Sequence, residues 1–340
     1  MINAVIVGLG WWGRTIAELV KKSDQLKIIG AVERNRASGE EFCSKSGLHF
    51  YQTFEAALAD ARVDAVIITT PHRFHEQQIV DAADAGKHVF CEKPLSLTLA
   101  AAARAVQACR RNGVRLGVGH ERRYEPPLQA VRQMLDDGTL GRLTQIEGNF
   151  SHDKFVSFSP DNWRLSTAEA ACGPMTATGI HLLDFAVRLG GGAQRVFARN
   201  NRVSTAFESG DSMSTLIELR NGATATINAM LATPFYARLT VFGSKGWVEV
   251  RDKSHVEAPT GWTMVRSTGG EAPVMTDYPA ATPVLSNLEA FARAIAGRQE
   301  DYPIPLQEML NTVGAFEAAF GSSLSGQPAI VENVLMENLG

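Results

Sequence analysis

The sequence predicts an α/β protein of two domains: an open sheet wound with helices over residues 1–122, then an α/β domain over 123–340 with a large, mostly antiparallel open sheet. Three observations carry this expectation. A short β-branched run, Asn3-Ala4-Val5-Ile6-Val7, ends in a glycine cluster and passes into apolar residues at helical spacing, Ile16, Ala17, Leu19 and Val20. Strand and helix patterns then alternate to about residue 118. Beyond residue 195, short strand patterns follow one another with turn signals between them.

The glycine cluster reads Gly8-Leu9-Gly10-Trp11-Trp12-Gly13, the form G-x-G-x-x-G set between a strand and a helix. Gly8 permits the tight turn, Gly10 lets backbone approach a pyrophosphate, and Gly13 allows close packing of helix on strand, with the helix amino terminus facing the anion. This makes the first domain a Rossmann dinucleotide-binding domain, with Trp11 and Trp12 carried along the same turn. The second strand, Leu26 to Val32, is followed by Glu33, placed to accept hydrogen bonds from the ribose hydroxyls of NAD. Arg34 is next to it; a guanidinium there either holds the 2′-phosphate of NADP or stacks on the adenine, so NAD is expected with NADP left open.

Two more strands, Ala65 to Ile68 and His88 to Cys91, run into Thr69-Thr70-Pro71 and Glu92-Lys93-Pro94. Open α/β sheets bind ligands at the carboxyl ends of their strands, so Thr70, Pro71, Glu92 and Lys93 are expected at the cofactor. A helix pattern from His75 to Ala85 stops at Gly86 and puts His75 at the same edge, lining the cofactor cleft or opening the helix. Ser96 or Thr98 caps an alanine-rich helix ending before Gly113, and Arg115 to Val118 closes the sheet.

At 340 residues, 45% hydrophobic and 20% charged, with net charge −3, the chain is long enough for two cores and has no basic run, which argues against nucleic acid as a partner. Cys43, Cys91, Cys109 and Cys172 have neither metal nor redox spacing, and no Cys/His cluster suggests a metal. Ile2 to Val7 lacks the basic flank of an export signal and no later segment is long enough to span a membrane, so a cytoplasmic protein acting on a small molecule is expected.

With the glycine turn, Thr70-Pro71, His75 and Glu92-Lys93-Pro94 in this order, the chain resembles the Gfo/Idh/MocA family, named for glucose-fructose oxidoreductase and inositol dehydrogenase, nearly end to end. Arg122-Arg123-Tyr124-Glu125-Pro126 looks like the family's crossover segment. Asn162-Trp163-Arg164 and Gly179-Ile180-His181-Leu182-Leu183-Asp184 look like its substrate-side motifs. The resemblance implies an NAD(P)-dependent oxidoreductase whose second-domain sheet assembles homodimers or homotetramers. Val196 to Asn200, Ser212 to Leu219, Ala223 to Met230, Arg238 to Phe242 and Trp247 to Val250 read independently as neighbouring antiparallel strands.

The resemblance also implies roles. His181 would be the general acid/base and Lys93 would hydrogen-bond the substrate oxygen, or itself carry the proton if desolvated. Arg123, Tyr124, Trp163, Arg164, Thr178 and Asp184 would contact substrate, with the alternatives that Arg123 and Tyr124 fasten the junction between the domains and that Arg164 sits in a surface ion pair. The family commonly has an aspartate four residues before this histidine, where this chain has Ala177; Thr176, Thr178 and Asp184 are local candidates to orient the imidazole instead. The reaction implied is alcohol–ketone interconversion on a sugar, polyol or cyclitol. The alternatives are a dihydrodiol or imine as substrate, an NAD-dependent glycosidase, and a regulator that senses the dinucleotide without catalysis.

Overall fold

A computed structural model describes residues 1–255, 258–298 and 302–338. The described residues divide into two compact units. Unit 1 comprises Met1–Glu121, Val284–Leu310 and the stretch from Val334; unit 2 comprises Arg122–Pro283 and Asn311–Asn333. A segment from the C-terminal third of the chain thus joins the first unit.

Unit 1 is built on six parallel strands, β1 (Ile2–Val7), β2 (Leu26–Val32), β3 (His49–Tyr51), β4 (Ala65–Ile68), β5 (His88–Cys91) and β6 (Leu116–Val118), in the order β3-β2-β1-β4-β5-β6. β4 is buried at every residue, as a strand covered on both faces must be, which explains why it reads as an unbroken apolar run rather than an alternation. The intervening helices are α1 (Trp11–Val20), α2 (Arg36–Ser46), α3 (Phe54–Ala59), α4 (His75–Asp84) and α5 (Leu99–Arg111). Asn35, Thr53 and Thr98 cap α2, α3 and α5 by accepting from backbone N–H groups of their first turns. Of the two caps expected for α5, Thr98 is the one used.

Unit 2 contains α6 (Pro126–Asp136), α7 (Ile180–Leu189) and nine strands: β7 (Leu143–Ser151), β8 (Ala193–Asn201), β9 (Ser212–Leu219), β10 (Thr224–Met230), β11 (Tyr236–Gly243), β12 (Gly246–Asp252), β13 (Trp262–Thr268), β14 (Val274–Tyr278) and β15 (Ala329–Ile330). Helices α8 (Pro283–Ile295) and α9 (Leu306–Ser325) complete the chain's regular elements among the described residues. The sheet order is β14-β13-β12-β11-β7-β10-β9-β8-β15. The expectation that successive strands are neighbours fails at one place. β7 lies between β10 and β11, antiparallel to β11 and parallel to β10, so a long-range pairing that no local turn signal encodes forms the centre of the sheet.

Among the described residues no helix is long and apolar enough to cross a membrane. The four cysteines are buried and free, and burial pushes the thiols of Cys91, Cys109 and Cys172 upward, away from reactivity.

Candidate active site

The carboxyl edge of the unit 1 sheet gathers the residues expected at a dinucleotide. Gly8 follows β1 at φ +95°, a conformation that favours glycine. A Cβ on Gly13 would overlap the Gly8 carbonyl oxygen and come within 2.7 Å of Thr69 Oγ1, so helix α1 rests directly on the turn. Gly10 is different. Its backbone is extended (φ −61°, ψ 176°) and a Cβ there would meet nothing within 4 Å. Nothing in the chain itself requires glycine at position 10; the missing side chain leaves open space at the amino terminus of α1, which has no side-chain cap and no acidic residue in its first turn. That space, at the amino terminus of a helix whose cap residue has no side chain, fits a pyrophosphate.

Glu33 follows β2. Its Oε2 accepts from Leu9 N–H inside the glycine turn at 2.6 Å, and its Oε1 accepts from Asn35 N–H at 3.0 Å. The carboxylate is therefore fixed in place, with lone pairs remaining for further donors. Arg34 is exposed, and Trp11 and Trp12 have ring centroids 5.3 Å apart, with Trp11 half-exposed. Sequence reasoning passed over Arg14. Its Nε donates to Leu9 O (2.9 Å) and its guanidinium to Ser38 Oγ (2.7 Å), tying the glycine turn to α2. A cation one turn into α1 and a serine early in α2 were the available signal, and neither belongs to the glycine fingerprint.

Next along the same edge, Thr69 Oγ1 donates to Gly8 O (2.6 Å), and Thr70 Oγ1 donates to Gln78 Oε1 of α4 (2.6 Å). After β5 the Lys93–Pro94 bond is cis. Lys93 is half-buried, and its N–H donates to the carboxylate of buried Glu92 at 3.2 Å. Glu92 N–H is used in the sheet, donating to Ile68 O, so its backbone has only the carbonyl to offer a ligand. Gly119 makes room for that carboxylate: a Cβ there would lie 2.6 Å from both oxygens. His75 opens α4, the second of its two expected places, and is fully buried with both ring nitrogens against backbone carbonyls.

In unit 2, His181 is the second residue of α7 and is 5% exposed. A π-helical turn, Met175–Gly179, precedes it and contains Ala177. Such turns are frequent at functional sites. Thr178, 1% exposed, donates its hydroxyl proton to Phe150 O (2.7 Å) or Pro174 O (3.1 Å), and the first of these ties the turn to the end of β7. Thr176 donates to Ala171 O.

Asp184 receives a bidentate bond from Arg123 (Nε to Oδ2, 2.6 Å; the other guanidinium nitrogen to Oδ1, 2.7 Å) and a third from Thr312 Oγ1 (2.9 Å). Both side chains of the pair are almost fully buried. Arg123 and Asp184 thus satisfy one another in a buried ion pair that ties Arg123 to α7. Tyr124 is half-buried in the same short turn. Trp163 and Arg164 lie in another, half-buried, with the Arg164 guanidinium 4.2 Å from the Trp163 ring centroid.

The neighbours of His181 include residues the sequence left unassigned. The Phe150 ring, 3% exposed, lies 6.1 Å from His181, 6.0 Å from His255, 6.5 Å from His152 and 6.3 Å from Phe235, centroid to centroid. The Arg122 guanidinium stands 5.1 Å from it and bonds Asp252 Oδ1 at 2.7 Å. Lys154 Nζ is 3.1 Å from His255 Nδ1, and Lys154 N–H donates to His152 Nδ1 at 3.3 Å. Three histidines thus gather round one phenylalanine. They come from positions 152, 181 and 255, a separation that no local pattern could have joined.

Comparison with known proteins agrees with this geometry. A family model described as an oxidoreductase family with an NAD-binding Rossmann fold matches residues 2–120, and the GFO/IDH/MocA C-terminal domain model matches residues 128–249. The chain belongs to the Gfo/Idh/MocA oxidoreductases. It is 31% identical over 236 residues to D-apiose dehydrogenase of Paraburkholderia graminis, covering 68% of this chain and 61% of that protein. It is 29% identical over 270 residues to inositol 2-dehydrogenase of Rhizobium meliloti, covering 75% and 78%. A crystal structure of an oxidoreductase from Desulfitobacterium hafniense, described as NADPH-dependent, superposes with a TM-score of 0.89 at 27% identity, covering 100% of this chain and 99% of that one. The amino-terminal domain is thus a Rossmann fold of the family's NAD-binding type, and the open space at Gly10 is what this chain's residues contribute to that fit.

Proposed function

We propose that this oxidoreductase interconverts a secondary alcohol and a ketone on a sugar, polyol or cyclitol. The observation that carries the reading is Lys93 at the carboxyl end of β5, on the same sheet edge as the glycine turn after β1 and the Thr70–Pro71 turn after β4. The bound nicotinamide supplies the hydride acceptor or donor. Lys93 donates a hydrogen bond from its ammonium to the carbinol oxygen, which lowers the alcohol's pKa and stabilises charge as the C–H bond breaks. His181 takes the hydroxyl proton at an imidazole nitrogen and returns it in the reverse direction, the general acid/base work an imidazole is able to do.

The names of two relatives, a D-apiose and an inositol dehydrogenase, support the substrate class. The fixed carboxylate of Glu33 supports NAD over NADP, because a 2′-phosphate would meet a negative charge held rigidly by two backbone N–H groups. A panel of pentoses, hexoses and cyclitols, followed at the absorbance band of reduced nicotinamide, is expected to find a substrate. Its kcat should fall about a hundredfold or more in Lys93→Ala, the scale of removing one donor to a developing oxyanion. Undiminished turnover in that variant would remove Lys93 from the mechanism.

A further inference from the structure

His75 opens α4 and is 0% exposed. Its Nδ1 lies 2.9 Å from the carbonyl oxygen of Pro94, and its Nε2 lies 2.9 Å from the carbonyl oxygen of Thr70. These carbonyls belong to the two loops that leave the adjacent strands β4 and β5, whose last residues, Ile68 and Cys91, are paired in register. One ring therefore bridges the loop that carries Lys93 and the loop expected beside the cofactor.

The chemistry of the bridge is unbalanced. A carbonyl oxygen offers only lone pairs, and a neutral imidazole has one N–H and one lone pair. Burial pushes His75 below its ordinary range, against the opposing pull of the Thr70, Pro94 and Leu95 carbonyls, so the ring is neutral at physiological pH. One proton thus serves two acceptors, and at any moment one loop is bonded while the other faces a lone pair.

We propose that His75 is a positioning residue which shares its single ring proton between the Thr70 and Pro94 carbonyls, and so couples the seating of the cofactor to the placement of Lys93. With the proton on Nε2 the Thr70–Pro71 loop is held. With the proton on Nδ1 the Lys93–Pro94 turn is held. The inference rests on the role given to Lys93 above and deepens it.

Two substitutions separate the bonds, since the amide nitrogen of asparagine takes the place of Nδ1 and that of glutamine the place of Nε2. His75→Asn keeps only the bond to Pro94. It should bind NADH about tenfold more weakly, measured by fluorescence titration without substrate, with kcat at saturating cofactor near that of the unaltered enzyme. His75→Gln keeps only the bond to Thr70 and should bind NADH normally while kcat falls about tenfold. A merely structural histidine predicts that both variants lose both quantities together, in step with their melting temperatures; that result, or no effect on either, overturns the proposal.

The ring-nitrogen shifts of His75 in ¹⁵N-histidine-labelled protein test the same point without mutation. A neutral ring with its proton averaged over both nitrogens, drawn toward Nε2 by NADH, is expected; an imidazolium, or one fixed tautomer indifferent to NADH, overturns the idea. If Lys93→Ala keeps its activity, the reading of Lys93 fails on its own, while the NADH titrations and the shifts still judge the shared proton.

Discussion

Gly10 and Gly13 stand three residues apart in one motif, yet alanine at each should leave opposite signatures. At Gly10 the backbone already has angles that alanine adopts, and the added methyl touches nothing in the chain. Restricting the unfolded chain there should stabilise the protein by about 0.4–1 kcal/mol, a rise in Tm on the order of 1 to 3 °C. The methyl would stand where the pyrophosphate must approach, and steric conflict of about 1–3 kcal/mol corresponds to roughly 5- to 150-fold weaker NADH binding. At Gly13 the methyl would overlap the Gly8 carbonyl, which is backbone and cannot swing aside, so stability should fall by at least about 1–3 kcal/mol even without cofactor. Differential scanning fluorimetry with and without NADH, together with a fluorescence titration, reads both effects. If Gly10→Ala binds NADH as the unaltered protein does, the cofactor does not approach at Gly10 and the argument from the open space is wrong.

Asp184→Asn strips the charge from a buried partner of Arg123, and leaving that guanidinium uncompensated should cost about 3–5 kcal/mol in chemical denaturation; an unchanged midpoint with a raised KM would return the pair to substrate binding. The phenol of Tyr51, buried and donating to Asp60 at 2.7 Å, is pushed up to about 12 by burial first and by the Asp60 hydrogen bond and charge second. The folded state thus holds its proton more tightly than the unfolded chain, whose tyrosine ionises near pH 10, so this contribution is complete below about pH 10 and is lost as pH rises toward 12. Tyr51→Phe should flatten the alkaline decline in unfolding free energy over that window, and an unaltered decline would assign it to other groups.

What was legible in the sequence followed from local chemistry. The glycine turn, the apolar strands and the Thr98 cap each declare themselves within a few residues, because a phosphate turn, a doubly covered strand and a helix start impose their requirements on consecutive positions. Glu33 was legible as a candidate ribose ligand from its place after β2, but its bond to the glycine turn was not, since Leu9 is 24 residues away. Arg123 and Asp184 were legible singly but not as a pair, since only their mutual approach across 61 residues reveals that they satisfy one another.

The position of β7 explains why the surroundings of His181 were the least legible part. Because β7 lies between β10 and β11 instead of beside its neighbours in sequence, its last residues emerge at the middle of the sheet. There the Phe150 carbonyl accepts the Thr178 hydroxyl, which holds the π-helical turn against the strand, and the Phe150 ring faces the imidazole one turn further on. Ala177, where the resemblance leads one to expect an aspartate, is thus set in a turn whose position depends on a strand pairing rather than on its own helix. An aspartate introduced at position 177 would enter a turn already fastened by Thr178 and Thr176 to backbone carbonyls. The surroundings of His181 are therefore written in the long-range topology of the nine-stranded sheet, while the glycine fingerprint is written in the first turn of the chain.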